Sequence, residues 1–148
     1  MINFSYFRFG LKTHVMDMNI VLIVIILANV IASIKGFSDR SFFEKYKFQI
    51  GPIKRGEKIR MFSSAFLHVD YIHLLLNMYV LYIFAPMILG TLGEVKFIIL
   101  YLGSLFAGSI LSMSYHKNED YYSAVGASGA VAGIIYAAIL LSPNMSLF

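Results

Sequence analysis

Four long apolar stretches, separated by polar segments, organise the chain. They cover residues 18–34, 71–89, 95–113 and 125–141. A bilayer core of about 30 Å needs about 20 apolar residues in a helix, and the first stretch lies at the short end of that range. That stretch is rich in β-branched residues, but in lipid the backbone must satisfy its own hydrogen bonds, so a helix is predicted. The pattern therefore predicts an all-α, polytopic bundle of transmembrane helices.

The polar segments predict how these spans are connected. Residues 35–70 alternate basic side chains with phenylalanine and tyrosine, which is typical of a segment that lies in the membrane interface. Gly51 and Pro52 are expected to break this segment in two. The link between residues 89 and 95 is so short that the second and third spans must be antiparallel. Residues 114–124 are predicted to form a polar loop, and residues 1–17 an amino-terminal segment before one membrane domain, residues 18–148; the resemblance described below implies that this segment is cytoplasmic.

Composition and charge agree with a membrane protein. Of the 148 residues 59% are hydrophobic and 14% charged, with a mean hydropathy of +0.74, whereas soluble domains carry about 25% charged residues. The chain has no cysteine, which excludes disulfides and thiolate metal sites. The net charge of +4 is concentrated between the first two spans, which favours contact with anionic lipid headgroups over nucleic acid. The first apolar run lacks a small-x-small cleavage site, so it is predicted to be retained.

Small residues recur in the last two spans. Ser104, Gly108 and Ser112 are spaced by four residues in the third span, and Gly129 and Gly133 form a Gly-x3-Gly pair in the fourth. Such spacing permits close helix contact in membranes. Taken alone, Ser128 in "GASG" is therefore more typical of a packing interface than of a reactive site.

The second span changes the interpretation of Ser128. It brings His68, His73 and Asn77 to membrane depth, where polar side chains are costly and point to function. His73 and Asn77 share one helix face, whereas His68 and His73 would lie roughly 140° apart, which argues against a metal chelate. The pair could form interhelical hydrogen bonds. It could also stabilise an oxyanion when a nucleophile such as Ser128 attacks a carbonyl, aided by nearby backbone N–H groups.

The stretches "RMFSSAFLHVDYIHLLLNMY", residues 60–79, and "GASGAVAG", residues 126–133, resemble the rhomboid intramembrane serine proteases. The resemblance runs from about residue 18 to residue 142 and covers the first four of that family's six core helices. It implies that Ser128 is the nucleophile and that His73 and Asn77, with the backbone near Ser128, form the oxyanion hole. It implies also that Gly126 keeps the approach open and that no metal or organic cofactor is needed.

The resemblance assigns roles to three further residues and implies that the family's general base is not among these residues. His68 matches a structural histidine, Gly129 shapes or packs the site, and Arg60 matches the arginine of a Trp-Arg motif in which this chain has Ile59 instead of tryptophan. The family's general base is a histidine of the sixth helix in a Gly-x3-Ala-His pattern, which these residues do not contain. We therefore expect a truncated chain that lacks the base. His116 and His14 are weaker candidates for that role, and His116 has no evident orienting partner.

The implied function is cleavage of a peptide bond in or beside a substrate's transmembrane helix, with transmembrane proteins and membrane lipids as partners. The alternative is a rhomboid-like pseudoprotease that binds transmembrane helices without cutting them. A small transporter or channel subunit would need ionisable groups along its spans, which hold almost none beyond His73. The resemblance places the protein in a bacterial cytoplasmic membrane with its amino terminus inside, although the basic residues after the first span favour the reverse orientation. The sequence gives no indication of oligomeric state.

Overall fold

The computed structural model describes residues 19–141. The predicted cytoplasmic segment, His14, Met18 and the residues after Leu141 lie outside this range. The elements, in chain order, are α1 (Ile20–Ser38), α2 (Arg40–Tyr46), β1 (Phe48–Gln49), α3 (Ile50–Lys54), α4 (Arg60–Ser63), α5 (Tyr71–Leu92), α6 (Glu94–Tyr115), β2 (Ser123–Ala124) and α7 (Ser128–Leu141). A 3-10 turn, Ser64–Phe66, follows α4. The architecture is an all-α bundle with one short antiparallel strand pair, β1 with β2.

Three helices, α1, α5 and α6, are long and apolar enough to cross a membrane, and α7 is apolar but shorter over its 14 described residues. Their ends differ from the predicted spans. Helix α1 continues to Ser38, and α5 runs through Gly90 to Leu92 because a helical glycine without a competing cap does not stop a helix in lipid. The connection to α6 is Gly93 alone, whose φ of 80° reverses the chain.

The bundle core lies where α7 packs between α5 and α6. It is closed by side chains with almost no exposure, among them Leu81, Ala85, Ile88, Phe97, Ile134 and Ala138. Between α6 and α7 the contact is made by small residues: Gly108 faces Gly129, and Ser104 faces Gly133. Backbones that approach this closely gain dispersion contacts that lipid chains cannot supply.

Helix α1 packs against the bundle core through Leu22 and is also joined to it by polar contacts. The Asn19 side chain caps α1 by accepting from Val21 N at 2.9 Å and donates to Glu94 Oε1 at 2.7 Å. Because Asn19 and Glu94 stand at the starts of α1 and α6, these two ends lie on the same side of the bundle. Residues 39–70 and 116–127 therefore share the opposite side.

The segment between α1 and α5 is folded. Asp39 ends α1 and caps α2 by accepting from Phe42 N at 3.0 Å, and this bond together with Lys35 holds the pKa of Asp39 below its ordinary value. Pro52 stands in the first turn of α3, where a missing N–H costs nothing. The Gly51-Pro52 pair therefore begins a helix and does not break the segment, contrary to the prediction.

Candidate active site

Ser128 is the first residue of α7 and is exposed. The helix begins there because Gly126, with φ of 125°, turns the chain into it. The Gly126 N–H donates to Ser64 O at 3.0 Å. Among residues 19–141 the Ser128 hydroxyl has no hydrogen-bond partner. The first N–H groups of α7 have no partner within the helix and form the positive end of its dipole.

His73 lies directly beside the turn that precedes Ser128. Asp70 caps α5 by accepting from His73 N at 2.7 Å, which places the imidazole in the first helical turn. A Cβ at Gly126 would come within 2.7 Å of His73 Cε1 and 3.0 Å of Nε2. Gly126 is therefore required twice, by its φ and by the ring. Within the described residues His73 Nδ1 is buried without a hydrogen-bond partner, so the ring keeps unused hydrogen-bonding capacity.

Asn77 lies one turn further along α5 and is 7% exposed. Its Nδ2 donates to His73 O at 2.9 Å, so one amide hydrogen is engaged within its own helix. A cavity of about 150 Å³ opens beside Ser128, lined by β2 and by small residues of α6 such as Gly108 and Ser112. Neither His73 nor Asn77 lines it. The structure thus brings His73 to the Ser128 turn from one side and leaves open space on another.

His68 precedes α5 and is fully buried. Ala127 N donates to its Nε2 at 3.4 Å, so Nδ1 carries the proton and donates to Ser33 Oγ at 2.8 Å. The Ser33 hydroxyl in turn donates to Phe66 O at 3.0 Å. Burial, with a smaller contribution from His73, lowers the pKa of His68 to about 4, so the ring is neutral near pH 7. One neutral imidazole therefore connects α1 to the residue before Ser128.

Gly129 packs the bundle. A Cβ at Gly108 would lie 3.6 Å from Gly129 Cα, and a Cβ at Gly133 would overlap the Ser104 side chain. These contacts set the distance between α6 and α7 at the end where Ser128 stands. The small residues that the sequence analysis singled out therefore face one another across this pair of helices.

Arg60 does not line the cavity beside Ser128 and lies in the folded segment between α1 and α5. It is 7% exposed, its Nε donates to Glu57 Oε2 at 2.7 Å, and its Nη1 donates to the carbonyl oxygens of Glu44 and Lys47 at 2.8 and 3.1 Å. The guanidinium thereby joins α4 to the end of α2.

His116 does have orienting partners, which corrects the expectation that it has none. Its Nδ1 lies 3.1 Å from Glu119 Oε1, and its ring stacks on Tyr122 with centroids 3.5 Å apart. It does not line the cavity beside Ser128. Both of these contacts of the His116 ring are therefore with residues of the loop between α6 and β2.

Sequence reasoning did not find Ser33, Ser64 or β1 as supports of the Ser128 segment. Ser33 stands in an uncharged apolar run, and the carbonyl of Ser64 leaves no trace in side-chain spacing. β1 pairs Phe48 with Ala124 and Gln49 with Ser123, two residues each across more than 70 positions. A strand of two residues is too short to show a periodic pattern in the sequence, and its partner lies too far along the chain to be predicted from local spacing.

Comparison with known proteins identifies the family. A Rhomboid domain model matches residues 55–146. The Bacillus subtilis protein YdcA, provisionally named a rhomboid protease, is 34% identical over 62% of this chain and 46% of its own length. The mitochondrial RHOMBOID-like protein 12 of Arabidopsis thaliana is 27% identical over 89% and 44%, and the mitochondrial Rhomboid protein 1 of Saccharomyces cerevisiae is 36% identical over 59% and 26%. The chain spans less than half the length of these relatives.

Proposed function

Because the chain belongs to the rhomboid family, we propose that it is part of an intramembrane serine endopeptidase. It is an integral membrane protein whose apolar helices form a rhomboid-like bundle. The proposed reaction is hydrolysis of a peptide bond in or beside the transmembrane helix of a protein substrate. The observation that carries the proposal is the His73 ring against Gly126, two residues before an exposed Ser128 whose hydroxyl has no hydrogen-bond partner among residues 19–141.

In the proposed mechanism Ser128 Oγ attacks the carbonyl carbon of the scissile bond, and the carbonyl oxygen becomes an oxyanion. The N–H groups at the start of α7 and a ring N–H of His73 donate to that oxygen. Asn77 supplies its second amide hydrogen, since the first is engaged by His73 O. Removing one such donor in a protease costs about 100- to 1000-fold in kcat.

The Ser128 proton must pass to a base, which later protonates the leaving amine before water hydrolyses the acyl-enzyme. The resemblance assigns this role to a histidine of a sixth helix, which the 148 residues do not include. His116 is a poor substitute because its ring stacks on Tyr122 and does not line the cavity beside Ser128.

The test uses the full gene product in detergent or liposomes, a fluorescent fluorophosphonate and a reporter transmembrane peptide. We expect labelling and cleavage to disappear in Ser128→Ala. The matched control is Ser112→Ala, which removes a hydroxyl from the wall of the same cavity and should keep both. Binding of the peptide without labelling or cleavage by the unaltered protein would favour the pseudoprotease instead.

We propose further that the starts of α1 and α6 face the cytoplasm of a bacterial cell and that the Ser128 side faces outward. These 148 residues contain no cysteine, and with any cysteine elsewhere in the gene product replaced by serine, single cysteines report orientation cleanly. An impermeant thiol reagent added to intact cells should modify Lys58→Cys and spare Lys96→Cys, both exposed positions at opposite ends of the bundle. The reverse pattern would invert the proposed topology.

A further inference from the structure

A groove runs between α1 and the helices α2 and α4 and is called the loop groove here. It has a volume of about 270 Å³ and is lined by Ala32, Phe42, Tyr46, Ile59, Phe62 and Phe66. Ser63 also lines it, but its hydroxyl donates to Tyr46 O at 2.8 Å and is satisfied within the segment. The lining is therefore built of aromatic rings and aliphatic groups.

The position of the loop groove along α1 predicts that it lies at the depth where lipid acyl chains begin. Ala32 stands six residues before the end of α1 at Ser38, which is about 9 Å along the helix axis. The neighbouring Ile31 and Ile34 are 66% and 51% exposed on the same apolar helix, as expected for contact with hydrocarbon. We therefore expect the floor of the groove to lie in the hydrocarbon and its rim near the headgroups.

The rim carries a positive charge that nothing in the described chain neutralises. Lys47 Nζ lies 2.7 Å from Glu44 Oε2, and Arg60 Nε lies 2.7 Å from Glu57 Oε2. Lys45 makes no ion pair with any of residues 19–141. Its Nζ lies 5.5 Å from the centroid of the Tyr46 ring, which lines the groove. An ammonium group is thus held at the mouth of an apolar groove.

We propose that the loop groove binds one anionic phospholipid, with an acyl chain along the aromatic lining and the phosphate at Lys45. The exposed ammonium group favours an anionic partner, and the apolar lining favours a hydrocarbon attached to it. A transmembrane helix of a partner is about 10–12 Å across with its side chains, and a groove of about 270 Å³ is too small to enclose one. Lys58, exposed beside Ile59 and also without an ion pair among the described residues, adds to the positive charge of the rim.

The absence of tryptophan from the chain allows a direct test. With any tryptophan outside these 148 residues replaced by phenylalanine, Ile59→Trp places a single fluorophore in the groove, and Tyr79→Trp places one on α5, outside the groove lining. Both positions are 59% exposed, so their general contact with lipid is matched. The full gene product is reconstituted in vesicles in which brominated phosphatidylglycerol or brominated phosphatidylcholine quenches the tryptophan, and the relative affinity for the two lipids is measured.

We expect the Ile59→Trp reporter to prefer the anionic lipid about fivefold, the factor that one basic residue contributes at an anionic surface. The Tyr79→Trp reporter should show a ratio near one. Lys45→Gln should bring the ratio at Ile59→Trp down toward the control, and Lys45→Arg should retain it. Because the contact lies at the interface, added salt should weaken the preference.

Equal quenching by the two lipids at Ile59→Trp would overturn the proposal, as would a preference that Lys45→Gln leaves unchanged. An equal preference at Tyr79→Trp would also overturn it, because the selectivity would then belong to the whole surface. Phe42→Trp provides a second reporter in the same groove if Ile59→Trp lowers the yield of folded protein. None of these measurements depends on catalysis.

Discussion

The segment around Ser128 is held from two sides by opposite means. Toward α6 it is held by the absence of side chains, since Gly108 meets Gly129 and a Cβ at Gly133 would overlap Ser104. Toward α1 it is held by a polar side chain, since His68 accepts from Ala127 N and donates to Ser33. The first contact depends on shape and should be indifferent to pH and salt. The second depends on one protonation state, so the two sides should fail under different conditions.

Acid should weaken the polar contact that His68 makes between α1 and the Ser128 segment. The resulting loss in free energy of unfolding is the largest effect expected. The unfolded chain binds a proton at His68 near the ordinary pKa of 6.5, whereas the folded protein does so only near pH 4. The unfolded state therefore binds more protons in that window. Stability attributable to His68 is complete above pH 6.5, declines as pH falls to 4 and is level below, a total of about 3 kcal/mol.

The measurement is unfolding in mixed detergent micelles at several pH values. His68→Gln should remove this slope, whereas His116→Gln, which alters a histidine of the loop after α6, should keep it. A slope of the same size in His68→Gln would show that the histidine does not support the fold in this way.

A methyl group added between α6 and α7 should disrupt the close contact of these two helices. Gly133→Ala inserts a Cβ where the Ser104 side chain stands, and such overpacking costs about 2 kcal/mol. The control is Gly103→Ala on α6, where a Cβ would meet no atom within 4 Å. Unfolding in detergent should show the loss at pH 5 and pH 7.5 alike.

The Ser104→Gly change should restore stability when combined with Gly133→Ala, because it returns the space that the methyl group takes. A double variant no more stable than Gly133→Ala alone would mean that the clash is relieved elsewhere in the bundle.

Replacing Arg60 sharpens the comparison at a third place. Arg60→Lys keeps the charge but loses the planar fork that reaches Glu57 and the two backbone carbonyls at once, so we expect a loss of about 1 kcal/mol. Arg40→Lys is the control because its side chain is 91% exposed and lies 3.9 Å from Glu44. Equal stabilities for the two variants would show that the buried guanidinium is replaceable.

The smallest effect is expected where the loop after α6 touches α3. Lys54 Nζ lies 2.8 Å from Asp120 Oδ1, but both side chains are about half exposed. A double-mutant cycle with Lys54→Ala and Asp120→Ala should give a coupling below about 0.5 kcal/mol that vanishes at high salt. A larger, salt-resistant coupling would place this pair with the polar supports of Ser128.

The sequence predicted those parts of the fold that have a period. The helical spacing of His73 and Asn77 put both on one face of α5, and the spacing of Ser104, Gly108, Gly129 and Gly133 indicated a close helix pair, because membrane helices pack through small residues at intervals of four. The Rhomboid domain match confirms the family that these motifs indicated.

What could not be predicted are contacts between segments without a period. The His68 bond to Ala127 joins residues 59 positions apart, and its partner atom is a backbone N–H that every residue carries. The alternation of basic and aromatic side chains predicts that residues 35–70 lie in the membrane interface, but it does not predict which helices and contacts they form there. In the structure the Arg60 guanidinium donates to the backbone carbonyl oxygens of Glu44 and Lys47. These partners depend on the tertiary fold and not on a local sequence pattern.

The single-residue link at Gly93 bears on how the protein enters its membrane. Two helices of 22 residues each meet there with φ of 80° and no intervening loop. Because the link is one residue, little polar backbone has to cross the membrane together with the two helices. Helices α5 and α6 are therefore suited to enter the bilayer from the translocon as one hairpin. The link between α6 and α7 carries Lys117, Glu119 and Asp120 and has no such advantage. Biosynthesis should therefore complete the α5–α6 pair before the Ser128 turn is assembled against it.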